Sequence, residues 1–170
     1  MSPELALGFI PLITWYGDAA TSYSFSNQIV EVEVNTKTGE VKVLTFTGAF
    51  DLGKAINPKA AEGQIEGGLA MGIGWAMTEN LEPQKGRIVA NQFTDYKLPT
   101  TLEMPEINSI LVETEDPVCP FGAKGIGEIV LVPTAAAIAN AIYDAIGIRI
   151  KELPITPEKI LKALKERSRN

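Results

Sequence analysis

The sequence predicts an α+β domain on three observations. Segments with period-2 alternation read as strands, a glycine-rich and an alanine-rich stretch carry helical spacing, and the two kinds of element do not alternate as regular βαβ units.

From Gln28 to Asn35, Val30, Val32 and Val34 oppose Glu31 and Glu33, with Ile29 apart, as in a half-buried strand. Thr36 to Glu40 is a short turn with a late glycine, and Val41 to Phe50 is again β-branched and aromatic. The two runs form a β-hairpin. Asn57-Pro58 then supplies an N-cap and a first-turn proline for a helix from Pro58 to Asn80, with Ile65, Leu69, Ile73, Ala76 and Met77 spaced by threes and fours. Gly63, Gly67, Gly68, Gly72 and Gly74 interrupt it, each costing about 1 kcal/mol against alanine. Either the helix is jammed against a sheet or a neighbouring helix, or a ligand sits at its N-terminal end.

Gly86 to Leu98 reads as an irregular strand that stops before Pro99, and Ile107 to Glu113 as another. Asp95-Tyr96-Lys97 then supplies strand-end polarity. Pro133 to Ile146 is an alanine-rich buried helix closed by Gly147. A last helix starts with Thr156 as cap, Pro157 in the first position and Glu158 on the dipole. The basic residues Lys159, Lys162, Lys165, Arg167 and Arg169 are its solvated face and end. No order is assigned to residues 1–22. Their apolar run LALGFIPLITWY lacks a preceding basic region and a small-residue cleavage site, and it contains Pro11, so it does not read as a signal peptide.

Composition narrows the chemistry. With 170 residues, 45% hydrophobic and 21% charged, the chain can bury a real core as one compact domain or two small ones. Its 15 Lys+Arg against 21 Asp+Glu give a net charge of -6, which argues against a nucleic acid or an anionic membrane as partner. A single cysteine, Cys119, leaves no intrachain disulfide and points to a reducing, cytoplasmic setting. Lying between two prolines, it reads as a small buried hydrophobe. With 0 histidines, histidine triads are unavailable, and the composition argues against a protein-ligated transition metal.

Two candidate sites remain. GAKGIGEIVLVP places Gly122, Gly125 and Gly127 and Lys124 around Glu128 before an apolar run. It lacks the lysine-serine pair of a P-loop and the setting of a Rossmann turn, so a phosphate cradle fits poorly. A carboxylate between an open glycine loop and a dry wall suits a general acid or base; the alternative is a helix-terminal or ion-paired glutamate. Gln64, flanked by Gly63 and Gly67, is either solvated or offers its amide to a polar ligand.

In order, DLGKAINPKAAEGQIEGGLAMGIGWAMTE, NQFTDYKLPT, PFGAKGIGE and PTAAAIANAIYDAIGIRIKELPITPEKIL closely resemble the C-terminal part of the molybdopterin-binding large subunit of the xanthine dehydrogenase, aldehyde oxidase and carbon monoxide dehydrogenase family of molybdenum hydroxylases. The resemblance runs from about Tyr23 to Leu164. It implies that residues 1–170 form a single C-terminal molybdopterin-binding domain, with molybdenum held by the pterin dithiolene, as molybdopterin itself or its cytosine dinucleotide. It implies that Glu128, closing the family's G-x-K-G-x-G-E stretch, is the catalytic base. That base draws a proton from the water-derived oxygen that attacks an electron-poor carbon of an aldehyde or N-heterocycle. It implies that Gln64, in the family's G-Q-(I/V)-E-G stretch, hydrogen-bonds the pterin, and that Lys124, Gly125 and Gly127 lie beside the cofactor.

Ile129 stands where relatives often carry proline or serine, which alters the pocket wall. The family's large subunit is several times longer, so the chain is expected to be a fragment or a piece of a split subunit, inactive alone. Expected partners are the rest of the molybdenum subunit, iron-sulfur (2Fe-2S) and flavin (FAD) subunits or domains, a small-molecule substrate and, through exposed apolar area, a second copy of the chain. A non-catalytic assembly module, with the glycine-rich helix as interface, is the competing reading.

Overall fold

The computed structural model describes residues 22–168; the apolar N-terminal run and Arg169 lie outside the described residues. Strands β1 (Ser26–Val34) and β2 (Val41–Asp51) are antiparallel, with Val34 opposite Val41 and Ser26 opposite Phe50. In the turn, the Asn35 carbonyl accepts from the Gly39 amide at 2.7 Å, and Gly39 takes φ 79, the left-handed region open to glycine. The alternation has its expected meaning. Val30, Val32 and Val34 pack toward the core, whereas Ile29 is exposed.

Helix α1 (Pro58–Met77) begins as expected: the Asn57 side chain accepts from the Ala60 amide at 3.1 Å, with Pro58 at the first position. It stops three residues short of Asn80. The Gly74 carbonyl takes the Thr78 amide at 2.9 Å and the Glu79 amide at 2.8 Å, which ends the regular ladder.

The expected strand Gly86 to Leu98 is corrected. Two-residue strands β3 (Pro83–Gln84) and β4 (Arg87–Ile88) pair across Lys85-Gly86, both at positive φ (51 and 78) as in a type I′ hairpin. Further on, the Gln92 carbonyl accepts from the Asp95 and Tyr96 amides at 3.0 Å, so the backbone turns instead of extending. Tyr96 is accordingly no strand end: its hydroxyl donates to Glu79, just past α1.

Strand β5 (Glu106–Val112) joins β2 in parallel, giving sheet order β1-β2-β5. Helix α2 (Leu131–Ile146) starts two residues before Pro133, which fits because a first-turn amide has no intrahelical partner to lose. Gly147, at φ 67, closes it in the left-handed cap expected. Helix α3 (Pro157–Arg167) has its Thr156 cap, but two of its basic residues do more than face solvent. Lys159 donates to the Pro154 carbonyl at 3.0 Å, and Arg167 donates to the Ile146 carbonyl at the end of α2.

Helix α2 packs against both β1 and α1. Phe46 and Phe50 of β2, Ile65 and Leu69 of α1, Ile138 and Ile142 of α2, and Ile155 and Ile160 are fully buried between these elements. Each contributes roughly 2–3 kcal/mol by burial. Among the described residues, no helix is long and apolar enough to cross a membrane.

Candidate functional site

The loops that follow β2 and β5 meet the N-terminal halves of α1 and α2 at one edge of this core. Helix α1 approaches α2 through Gly68 and Gly72. A Cβ on Gly72 would lie 2.6 Å from Thr134, and one on Gly68 would lie 3.0 Å from Val130. A Cβ on Gly63 or Gly67 would meet nothing within 4 Å, so their face of the helix is open. Close packing therefore accounts for Gly68 and Gly72, whereas Gly63 and Gly67 border open space.

The loop after β5 is tied to the end of β2. Lys54 N–H donates to the Gly122 carbonyl at 2.7 Å, Lys124 N–H donates to the Leu52 carbonyl at 2.9 Å, and Gly53 bridges Ala123. Gly53 has φ 65, and any Cβ there would strike the Gly122 carbonyl, so the contact requires glycine. Before it, Asp116 braces the Val118 and Cys119 amides at 2.8 and 3.0 Å. Hydrogen bonds from Ser22, then from those two amides, hold its carboxyl down at about 2. Cys119 is half-buried here, not fully buried as expected, on a loop whose neighbours Pro117, Val118 and Pro120 are exposed.

Lys124 does not reach toward a ligand. Its ammonium contacts Asp51 Oδ2 at 2.7 Å, the Tyr23 carbonyl at 2.9 Å and Thr114 Oγ1 at 3.2 Å, which uses all three of its protons. Side-chain exposures of 10% and 7% make Lys124–Asp51 a buried pair, whereas Lys54–Glu113, at 50% and 44%, is exposed. Burial, the largest influence on the Asp51 carboxyl, pushes it up. Hydrogen bonds from Lys124, Thr114 and the Gly53 amide, with the lysine charge, outweigh burial and leave it below the ordinary 3.8.

Beyond Lys124 the loop opens. Gly125 and Gly127 have empty space where a side chain would stand, and Ile126 packs against the core. Glu128 is exposed on the turn into α2, its carbonyl accepting from the Val132 amide at 3.1 Å. The dry wall expected after it is not continuous. Val130 is fully buried but Val132 is 69% exposed, because the chain is already winding into a helix and successive side chains leave in different directions. Glu128 is thus helix-terminal in position, and it takes part in neither of the ion pairs found among the described residues.

Gln64, Gly67, Gly68 and Met71 of α1 face Gly127, Glu128 and Leu131 across a cleft of about 490 Å³. Gln64 also lines a second hollow of about 350 Å³ with Asn57, Ala123, Lys124 and Ile126. The structure therefore gathers Gln64, Gly127 and Glu128 in one cleft and leaves Lys124 at the second, its charge committed elsewhere. Sequence reasoning missed Asp51 and Thr114, which hold Lys124, and Gln28 and Thr134. The latter two donate to the Val130 carbonyl at 2.6 and 2.8 Å and so fix the start of α2. Gln28 had a readable signal: it falls on the inward side of β1, in register with Val30, Val32 and Val34.

The cleft is open and floored by glycine, with one primary amide and one carboxylate on opposite walls of an α+β domain. The molybdopterin cofactor-binding domain family matches residues 10–105, which include Gln64 and end before the Glu128 loop. The gamma subunit of the 6-hydroxypseudooxynicotine dehydrogenase complex of Paenarthrobacter nicotinovorans is 40% identical over 149 residues, 85% of this chain and 19% of that protein. The molybdenum-binding subunit PaoC of the Escherichia coli K12 aldehyde oxidoreductase is 38% identical over 83% of this chain and 20% of its own length. The Desulfovibrio gigas aldehyde oxidoreductase superposes with a TM-score of 0.79 at 39% identity, over 85% of this chain and 16% of that one. The chain belongs to the molybdopterin cofactor-binding domain family, and it spans about a fifth of the length of the curated relatives it matches.

Proposed function

We propose that this chain forms one wall of the active site of a molybdenum hydroxylase, binding molybdopterin along α1 and supplying Glu128 as general base. The observation that carries the reading is the convergence of Gln64 and Glu128, distant in sequence, on one glycine-lined cleft. The cleft suits a planar polar group: Gly67 and Gly127 leave room, and the Gln64 amide can both donate to and accept from ring heteroatoms.

When bound, the molybdenum–pterin group supplies a two-electron acceptor for hydroxylation of an aldehyde or N-heterocycle with oxygen from water. Gln64 orients the pterin. Glu128, exposed in the cleft and in neither ion pair found among the described residues, would take onto its carboxylate the proton of the water-derived oxygen that bonds to the substrate carbon, while the C–H bond there breaks and its electron pair goes to that acceptor. Lys124 acts through its backbone beside the second hollow, since its ammonium is bound to Asp51. The reading extends to the cytosine dinucleotide form of the cofactor, to 2Fe-2S and FAD on partner chains or domains, to a reducing compartment, and to the remaining large-subunit segment as the group that completes the pocket.

In the complete subunit carrying this chain, Glu128→Gln should lower kcat about 10²–10⁴-fold, the usual contribution of a positioned base, with molybdenum and pterin contents unchanged. Full turnover by that variant would remove Glu128 from the role. Specific exposed apolar residues, among them Phe93 at 86%, Leu102 at 94% and Phe121 at 89%, support the assembly reading as well. Loss of cofactor binding from both the isolated and the assembled chain would favour that reading alone.

A further inference from the structure

We propose that Asp51 is a positioning residue which, through its buried pair with Lys124, fixes the loop that presents Glu128; the inference rests on the base reading above. The span Gly125–Glu128 hangs between two anchors. At one end, Lys124 is held by its backbone on Leu52 and by its ammonium on Asp51, Thr114 and the Tyr23 carbonyl. At the other, the Val130 carbonyl is held by Gln28 and Thr134. Between them, none of the Gly125, Ile126 and Gly127 amides makes a backbone hydrogen bond among the described residues.

Two glycines in so short a span give the backbone more freedom than any other residue type would, so local preference cannot set where Glu128 sits. The anchors must set it. A buried ion pair is a poor choice if stability is all that is needed, because desolvation offsets much of its attraction and apolar residues serve as well. What it adds is direction. Asp51 receives Thr114 Oγ1 at 2.5 Å and the Gly53 amide at 3.2 Å on one oxygen and Lys124 at 2.7 Å on the other, so its carboxylate ties β2, the segment after β5 and the glycine loop together.

The test is made in the complete subunit carrying this chain. The double variant Asp51→Asn/Lys124→Met removes both charges, avoiding a lone buried one. Amide exchange at Lys54 and Lys124 should accelerate at least about tenfold while exchange in α1 at Ile65 and Leu69 is unchanged. The kcat should fall roughly 10- to 100-fold, as expected for a small displacement of a catalytic group, with KM altered less than about threefold. Thr114→Val, which removes one arm of the clamp and no charge, should show the same pattern to a smaller degree and serves if the double variant does not fold. Unchanged exchange at Lys54 and Lys124, or loss of protection throughout α1, overturns the proposal. Glu128→Gln run alongside separates the two readings. If it is inactive while the clamp variants keep full kcat, the clamp fails alone; if it is fully active, the base assignment fails whatever the clamp variants do.

Discussion

The two sides of the site use the same residue type for opposite ends. On the packed side, Thr134 already fills the space where a side chain on Gly72 would be, and Val130 stands tight against the same position on Gly68. On the open side, Gly63 and Gly67 in the same helix, and Gly125 and Gly127 across the cleft, face nothing within 4 Å. A glycine count along α1 cannot separate the two. The contacts do, and they assign the helix a packed stripe and a bare stripe one residue apart.

The sharpest way to break the packed side is to leave its buried charge alone. Lys124→Met should destabilise the chain by about 3–5 kcal/mol, since Asp51 keeps its burial and loses its partner. Chemical denaturation of the two proteins measures it, and Asp51→Asn/Lys124→Met should recover part of the loss. A value below about 1 kcal/mol would mean that water reaches Asp51 and that the pair is not truly buried.

The same carboxyl gives the packed side a pH signature. The Asp51 pKa is lower in the folded chain than its ordinary 3.8, so its contribution to stability is complete above that value and is lost as pH falls through the lower folded value. Stability should therefore drop below about pH 4, and Asp51→Asn should flatten that part of the profile. An identical acid limb in the variant would assign the drop to other carboxyls, of which Asp116, held at about 2, is the first to examine.

Next in size is Gly72→Ala. The added methyl meets Thr134 at 2.6 Å, and Thr134 is fully buried and tied to Val130, so α1 and α2 must separate. Overpacking of this kind costs about 1–3 kcal/mol, against roughly 1 kcal/mol regained from helix propensity. Net loss in thermal denaturation is expected, and a gain would show that the helix interface is loose.

What the sequence disclosed follows the range of the interactions. The β1–β2 hairpin and the Asn57-Pro58 and Thr156-Pro157 helix starts depend on neighbours a few residues away and are legible. The Pro83–Ile88 hairpin is not, because Lys85 at positive φ has no marker as strong as the glycine beside it. Asp51, Thr114 and Lys124 meet only because β5 runs parallel to β2, a pairing with no local signature. Glu128 and Gln64 drew notice by their glycine neighbours, but their shared cleft exists only once α1 lies against α2.

The smallest stability effect tests the open side. Gly67→Ala places a methyl where nothing stands, so the isolated chain should gain about 1 kcal/mol from helix propensity. In the complete subunit the same methyl enters the cleft shared by Gln64 and Glu128, and pterin content should fall. Gly63→Ala lies outside that cleft's lining and should stabilise by a similar amount with cofactor retained. The contrast matters more than either number: a variant that is more stable and yet loses pterin cannot owe the loss to misfolding. Equal pterin content in the two variants would mean that the bare stripe is open for some reason other than the cofactor.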